Sequence, residues 1–218
     1  MTGKRTGWMR RMSGVLLAAA AALLMAGGGS AAELKAGEDY RKVGEPRVND
    51  DGTVPVADFF SYLCPHCARF SERFSAWLER AQPPVAVEEI PVVFRPSWEP
   101  LARAYWVAET LGAVEQVHGP LFRAIHEQRR NLGSREALRA FFVEHGVEGE
   151  AFDQAWDGIG VDRGLRRARQ AMADYGIRVT PSVVVAEAYL VTPRQAGSLE
   201  AMIETIAALV ERHAEEGG

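Results

Sequence analysis

The two cysteines of this 218-residue chain stand three positions apart, at Cys64 and Cys67, with Pro65 and His66 between them. Thiols at that spacing can close on each other as a disulfide or supply half of a metal site. The flanking residues narrow the choice. Val54 to Phe60 is a β-branched and aromatic run, the composition of a buried strand. After Cys67 the apolar residues fall at Phe70, Phe74, Trp77 and Leu78, which is helical spacing. Pro65 suits the first turn of that helix, where its missing N–H would have found no intrahelical partner. Cys64 is therefore expected at a helix N-terminus and Cys67 one turn further in.

A sulfur in that position meets unpaired backbone N–H groups and the positive end of the helix dipole. Both favour thiolate over thiol and lower the cysteine pKa, and the His66 ring can add to the effect. Each unit of lowering stabilises the thiolate by about 1.4 kcal/mol. A stabilised reduced form makes the disulfide easier to reduce, so such a protein oxidises others. Other uses of the pair fit less well. A disulfide across one helical turn closes too short a loop to constrain the unfolded chain. A structural zinc site wants four ligands, and no second CxxC or HxxxH pair exists, His118, His126, His145 and His213 being scattered.

The elements that must position the pair follow in order. Residues 1–32 read as a cleaved export signal rather than as part of the fold. Lys4, Arg5, Arg10 and Arg11 form its positive region, Val15 to Ala26 an apolar core short for a bilayer span, and Ser30-Ala31-Ala32 a small-residue cleavage site. The competing reading is an uncleaved anchor. Removal of this segment, with its four basic and no acidic residues, takes the formal charge from −4 to −8. That balance argues against nucleic acid as a partner. Export also implies an oxidising compartment, where a CxxC pair can work as a disulfide. The rest is long enough for one domain with a sizeable core, and no phosphate-binding glycine loop is present.

Beyond a polar lead and a turn at Asp50-Asp51-Gly52 come the strand, the cysteine-bearing helix ended by Gln82-Pro83-Pro84, and a second strand over 85–94. From about Trp98 to Tyr175 the periodicity is helical, with Gly112 closing one helix, Gly119-Pro120 inside the next, and Ser134 capping a third. Strands return over 177–185 and 189–191, and Ser198 caps a final helix. The expected fold is α/β, with an all-helical insertion. Trp77 and Trp106 read as core. Trp156 is a candidate for the junction near the cysteines. Phe59, Tyr62 and Leu63 are candidates for an exposed apolar patch that would dock substrate, while Arg129-Arg130 and Arg166-Arg167 read as a solvated helix face.

Phe-Phe-Ser-Tyr-Leu-Cys-Pro-His-Cys at 59–67, with Pro-Leu-Phe at 120–122, Phe-Asp-Gln-Ala-Trp at 152–156 and Gly-Ile-Arg-Val-Thr-Pro at 176–181, resembles the DsbA-type thiol:disulfide oxidoreductases of the bacterial periplasm. The resemblance implies a thioredoxin fold spanning 33–97 and 176–218, with a helical domain inserted at 98–175. It implies a monomer without a cofactor other than its Cys64–Cys67 disulfide, donating that disulfide to reduced or unfolded exported proteins and reoxidised by a DsbB-type quinone-linked membrane partner. Cys64 would be the nucleophile, Cys67 the buried partner, and His66, beside Pro65, a stabiliser of the Cys64 thiolate. Pro181 would be a cis-proline against the disulfide, with Val179 and Thr180 offering backbone to an extended substrate. Asp58 stands where the family commonly carries a glutamate; on a strand face with Val56 and Phe60 it would exchange a proton with Cys67, the alternative being a solvent-facing aspartate. A second departure is Ala186-Glu187-Ala188, in place of a glycine-containing turn. The competing functions are a disulfide isomerase or reductase of the same fold, and a non-catalytic chaperone-like or metal-binding protein.

Overall fold

A computed structural model describes residues 34–82 and 84–216; the expected export signal lies outside the described residues. The β-branched run forms β2 (Val54–Phe60), which pairs in parallel with β3 (Val85–Pro91) and antiparallel with β4 (Ser182–Val185). A hairpin adds β5 (Tyr189–Val191), and the two-residue β1 (Arg41–Lys42) completes the sheet. Among the described residues the strand order is β1-β5-β4-β2-β3.

Helix α1 (Pro65–Leu78) and α8 (Leu199–Glu216) cover one face of this sheet. Phe70, Phe74, Met202, Ile206 and Leu209 pack there against Val54, Val56, Val183, Val185 and Val191. The other face, through Phe59, Ile90, Val184 and Leu190, joins a second core built with the helical block. That block comprises α2 (Glu99–Thr110), α3 (Val114–His126), α4 (Arg135–Glu144), α5 (Gly149–Trp156) and α6 (Ile159–Asp174). Ser134 Oγ accepts from Ala137 N–H at 3.2 Å, the expected cap of α4. Close packing of α6 on α2 depends on Gly164, where a Cβ would run into the Trp106 ring.

Several boundaries differ from the sequence expectation. The second strand stops at Pro91, and α1 ends at Leu78, before Gln82. Residues 177–181 are not strand but a loop leading into β4. Neither β1 nor the short α7 (Pro193–Ala196) follows from the sequence pattern. Residues 186–188 join β4 to β5: Ala188 N–H closes the turn on Val185 O at 3.0 Å, and Ala186 and Glu187 take φ of 52° and 56°, a left-handed geometry that glycine adopts more cheaply. The turn is braced from the N-terminal lead: Arg47 N–H donates to Ala186 O at 3.0 Å and Val43 N–H to Ala188 O at 2.7 Å.

Candidate active site

Strand β2 delivers the chain to the cysteines through a short buried link. Ser61 and Tyr62 are both buried; Cys64 N–H donates to Ser61 O at 3.0 Å, and Leu63 N–H to Ser61 Oγ at 3.2 Å. Two histidines of α3 hold Tyr62 from the far side. Its hydroxyl meets His118 Nδ1 at 2.8 Å, and its carbonyl accepts from His126 Nε2 at 2.8 Å. Cys64 is the N-cap of α1, with extended backbone, and Pro65 occupies the first turn.

The two sulfurs differ sharply. Cys64 is part-exposed and its thiol is lowered from 9.0 to about 5. The hydrogen bond from the Cys67 thiol is the largest cause; burial opposes it, and Thr180 and the backbone N–H groups of Cys67 and His66 assist. Cys67 is buried, and burial pushes its thiol far up, with the neighbouring Cys64 and the Asp58 carboxyl adding to the rise. The first is a ready leaving group and the second a reluctant one.

His66 sits differently from the expectation of a ring turned on the sulfur. Its side chain is exposed, and Nδ1 lies 2.9 Å from Arg69 Nη2, which can only donate. What it brings to Cys64 is its backbone N–H.

The Thr180–Pro181 peptide is cis. Its loop runs beside the reactive sulfur, Cys64 Sγ lying 3.5 Å from Thr180 O. Ser182 Oγ donates to Val179 O at 2.8 Å, and Val179 is 50% exposed. Asp58 is buried, beneath α1, with the solvent-facing alternative excluded. Burial raises its carboxyl well above the usual range, and Glu89, its in-register neighbour on β3, raises it further.

Most of the other candidates are buried or engaged with neighbours. Phe59 and Tyr62 are buried, because the helical block closes over the end of β2; of the three, only Leu63 is exposed. Trp156 stacks on Phe152, with Arg103 and Arg135 over its ring. Arg167 is exposed but engaged, lying over Trp106 and 3.2 Å from Glu88, and Arg130 pairs with Glu144 at 2.7 Å. Sequence reasoning passed over Glu89 and His118. Glu89 read as one of two acids on an alternating strand, and a lone histidine on an apolar helix carries no signal of what the fold brings to it. Among the described residues no group of three or more His, Cys, Asp or Glu side chains could hold a metal ion, and no helix is long and apolar enough to cross a membrane.

The family model of the DSBA-like thioredoxin domain matches residues 55–202, more than half of the chain. The chain belongs to the DsbA family. Thiol:disulfide interchange protein DsbA of Bordetella parapertussis is 31% identical over 171 residues, covering 77% of this chain and 80% of the relative. The crystal structure of oxidoreductase DsbA from Xylella fastidiosa superposes with a TM-score of 0.76 at 31% identity, covering 84% of this chain and 98% of that one. A Proteus DsbA solved with a non-covalently bound peptide superposes at 0.70 and 26% identity, covering 84% of this chain and all of that one. The fold is therefore the DsbA-like thioredoxin fold, and the protein is a thiol:disulfide oxidoreductase.

Proposed function

We propose that this DsbA-family protein is a dithiol oxidase that passes its Cys64–Cys67 disulfide to exported proteins. A substrate thiolate attacks Cys64 Sγ, the disulfide breaks, and its electron pair leaves on Cys67. A second substrate thiolate then attacks the substrate sulfur of the mixed disulfide and releases Cys64 as thiolate, so that the substrate is oxidised and the protein reduced. The single observation that carries this direction is the contrast between the two thiols, one held at about 5 and the other pushed far above its usual value. It favours the reduced form through Cys64 and confines attack to the accessible sulfur.

Thr180 and Val179 border Cys64 and would pair with an extended substrate segment, a reading supported by the peptide-bound Proteus relative. Asp58 would protonate Cys67 as it is released. An export signal over 1–32 would carry the protein to the periplasm, where a DsbB-type quinone-linked membrane protein would regenerate the disulfide. The working unit is a monomer with a thioredoxin-like domain (33–97 and 176–218) and a helical insertion (98–175).

Cys64→Ser is expected to abolish oxidation of a reduced substrate protein, whereas Cys67→Ser accumulates mixed disulfides through Cys64. Absence of any trapped adduct would refute the scheme. The redox potential in a glutathione buffer separates an oxidase from an isomerase or reductase, which needs a persistently reduced pair.

A further inference from the structure

Asp58 and Glu89 are directly opposed in the parallel β2–β3 ladder, which puts both carboxyls on the same face of the sheet. Val183, opposite Asp58 on β4, belongs to the core beneath α1 and α8, so this is the face that α1 covers, and the Asp58 carboxyl acts on the Cys67 thiol of that helix. The two strands run about 4.8 Å apart, and the Glu89 charge acts on the Asp58 carboxyl, so the two resist ionising together when water is scarce. Among the described residues no lysine or arginine forms an ion pair with either one.

Their surroundings differ. Glu89 keeps 26% of its side chain exposed, and the Tyr105 hydroxyl donates to its carboxylate. His118 Nε2 lies 3.4 Å from Glu89 Oε1. A carboxylate can only accept and a hydroxyl can also donate, so a ring with one proton satisfies both neighbours by holding it on Nε2, toward Glu89 and Ser71 Oγ, and accepting from the Tyr62 hydroxyl at Nδ1. Burial, which lowers His118 to about 4, keeps that ring neutral. Asp58 has none of this: it is buried, and its Oδ1 has no hydrogen-bond partner. The titratable groups around the pair are thus Cys67 on α1, Cys64 at its N-cap and Tyr62 before it, Tyr105 on α2 and His118 on α3, while β4 offers only Val183.

We propose that Asp58 and Glu89 hold one proton between them, and that the donors gathered on Glu89 place it on Asp58, ready for the Cys67 sulfur. Glu89, His118 and Tyr105 are positioning residues: they touch no reacting atom, and they decide which carboxyl is the acid. The proposal rests on the reading of Cys67 as the sulfur released when the disulfide opens. In that step the S–S bond breaks, Cys67 takes the electron pair, and the Asp58 proton moves to it, leaving carboxylate beside carboxylate. That repulsion returns a proton from water to Asp58 and resets the pair. Solvent reaches the pair through Glu89, whose side chain keeps 26% of its surface exposed.

Carboxyl-carbon NMR titration of the oxidised protein tests the assignment, with Asp58 identified by its loss in Asp58→Asn. Glu89 is expected to ionise first and Asp58 at higher pH. Glu89→Gln should lower the Asp58 midpoint by about two pH units, and shift the pH profile of disulfide opening by a thiol peptide down with it. His118→Phe should draw the two midpoints together, and His118→Gln, which restores a donor, should part them again. If His118→Phe does not fold, Tyr105→Phe removes the other donor and must produce the same narrowing. Asp58 ionising at or below Glu89, or holding its midpoint in Glu89→Gln, overturns the proposal. If Cys67→Ser traps mixed disulfides while Asp58 behaves so, the oxidase reading stands and only the proton assignment fails; if nothing is trapped, the oxidase reading itself has failed.

Discussion

Replacing Cys67 with alanine removes the largest single influence holding the Cys64 thiol low, the hydrogen bond from the buried neighbour. With a value of about 5, Cys64 is ionised by about a hundred to one at neutral pH; at its ordinary 9.0 the ratio would be inverted. A hydrogen bond to a charged acceptor contributes roughly 1.5–3 kcal/mol where water is excluded. Cys64 is part-exposed, so screening trims that to about one pH unit. Cys67→Ala should therefore titrate about one unit higher than the native reduced protein, and Cys67→Ser, which keeps a donor, should shift less. Ultraviolet thiolate absorbance against pH gives the midpoint, and the rate of alkylation by iodoacetamide gives it independently. At a pH near 6 the alkylation rate of Cys67→Ala should drop to about half that of the native protein. An unmoved midpoint in Cys67→Ala would show that the backbone N–H groups and helix N-terminus suffice alone. A native midpoint above neutrality would remove the basis for an oxidant altogether. The same value sets a stability window. The folded thiol is depressed relative to the unfolded one, so the reduced protein should gain stability as pH rises from about 5 toward 9 and lose it in the reverse direction. The oxidised protein, with no thiols, should lack that dependence.

Asp58 carries the opposite sign. Its folded carboxyl is raised above the ordinary 3.8 by burial and by Glu89, so its contribution is present below that value and lost as pH climbs toward the folded one. Asp58→Asn should flatten that decline in urea denaturation of the oxidised protein between pH 4 and 8; an unchanged slope would count against a buried acid. At the β4–β5 turn, Glu187→Gly relieves a left-handed backbone at the cost of an exposed pairing with Arg47 that contributes little. Thermal or urea unfolding should show a gain of about 1 kcal/mol, and a loss would mean that the side chain matters more than the backbone.

Much of the site was legible because it is local. The run from Val54 to Phe60, the proline after Cys64 and the apolar spacing after Cys67 act within a few residues, and the strand, N-cap and helix appear where those signals put them. What escaped depends on distant pairing. Arg41–Lys42 is strand only because β5 lies beside it, and nothing in two polar residues announces that. Residues 177–181 carry strand-like composition, but the chain makes its turn at Thr180–Pro181 before pairing begins at Ser182. Phe59 and Tyr62 looked available for docking because a local pattern does not show that α2 and α3 close over them. The sequence allows the His66 ring to act on the sulfur, and does not show that Arg69, one helical turn on, meets its Nδ1. Glu89 and His118 belong to segments far apart in sequence, and their meeting is a property of the fold alone.

The clasp on Tyr62 by His118 and His126 carries a consequence for how such a protein can change over time. The segment leading into Cys64 takes its posture from a helix that contains no cysteine and makes no bond to the sulfur. Drift along Val114–His126 can therefore retune the reactive thiol while the CPHC stretch stays letter-perfect. Two family members with identical motifs need not share a potential, and the difference should be sought first on the helix that grips the loop.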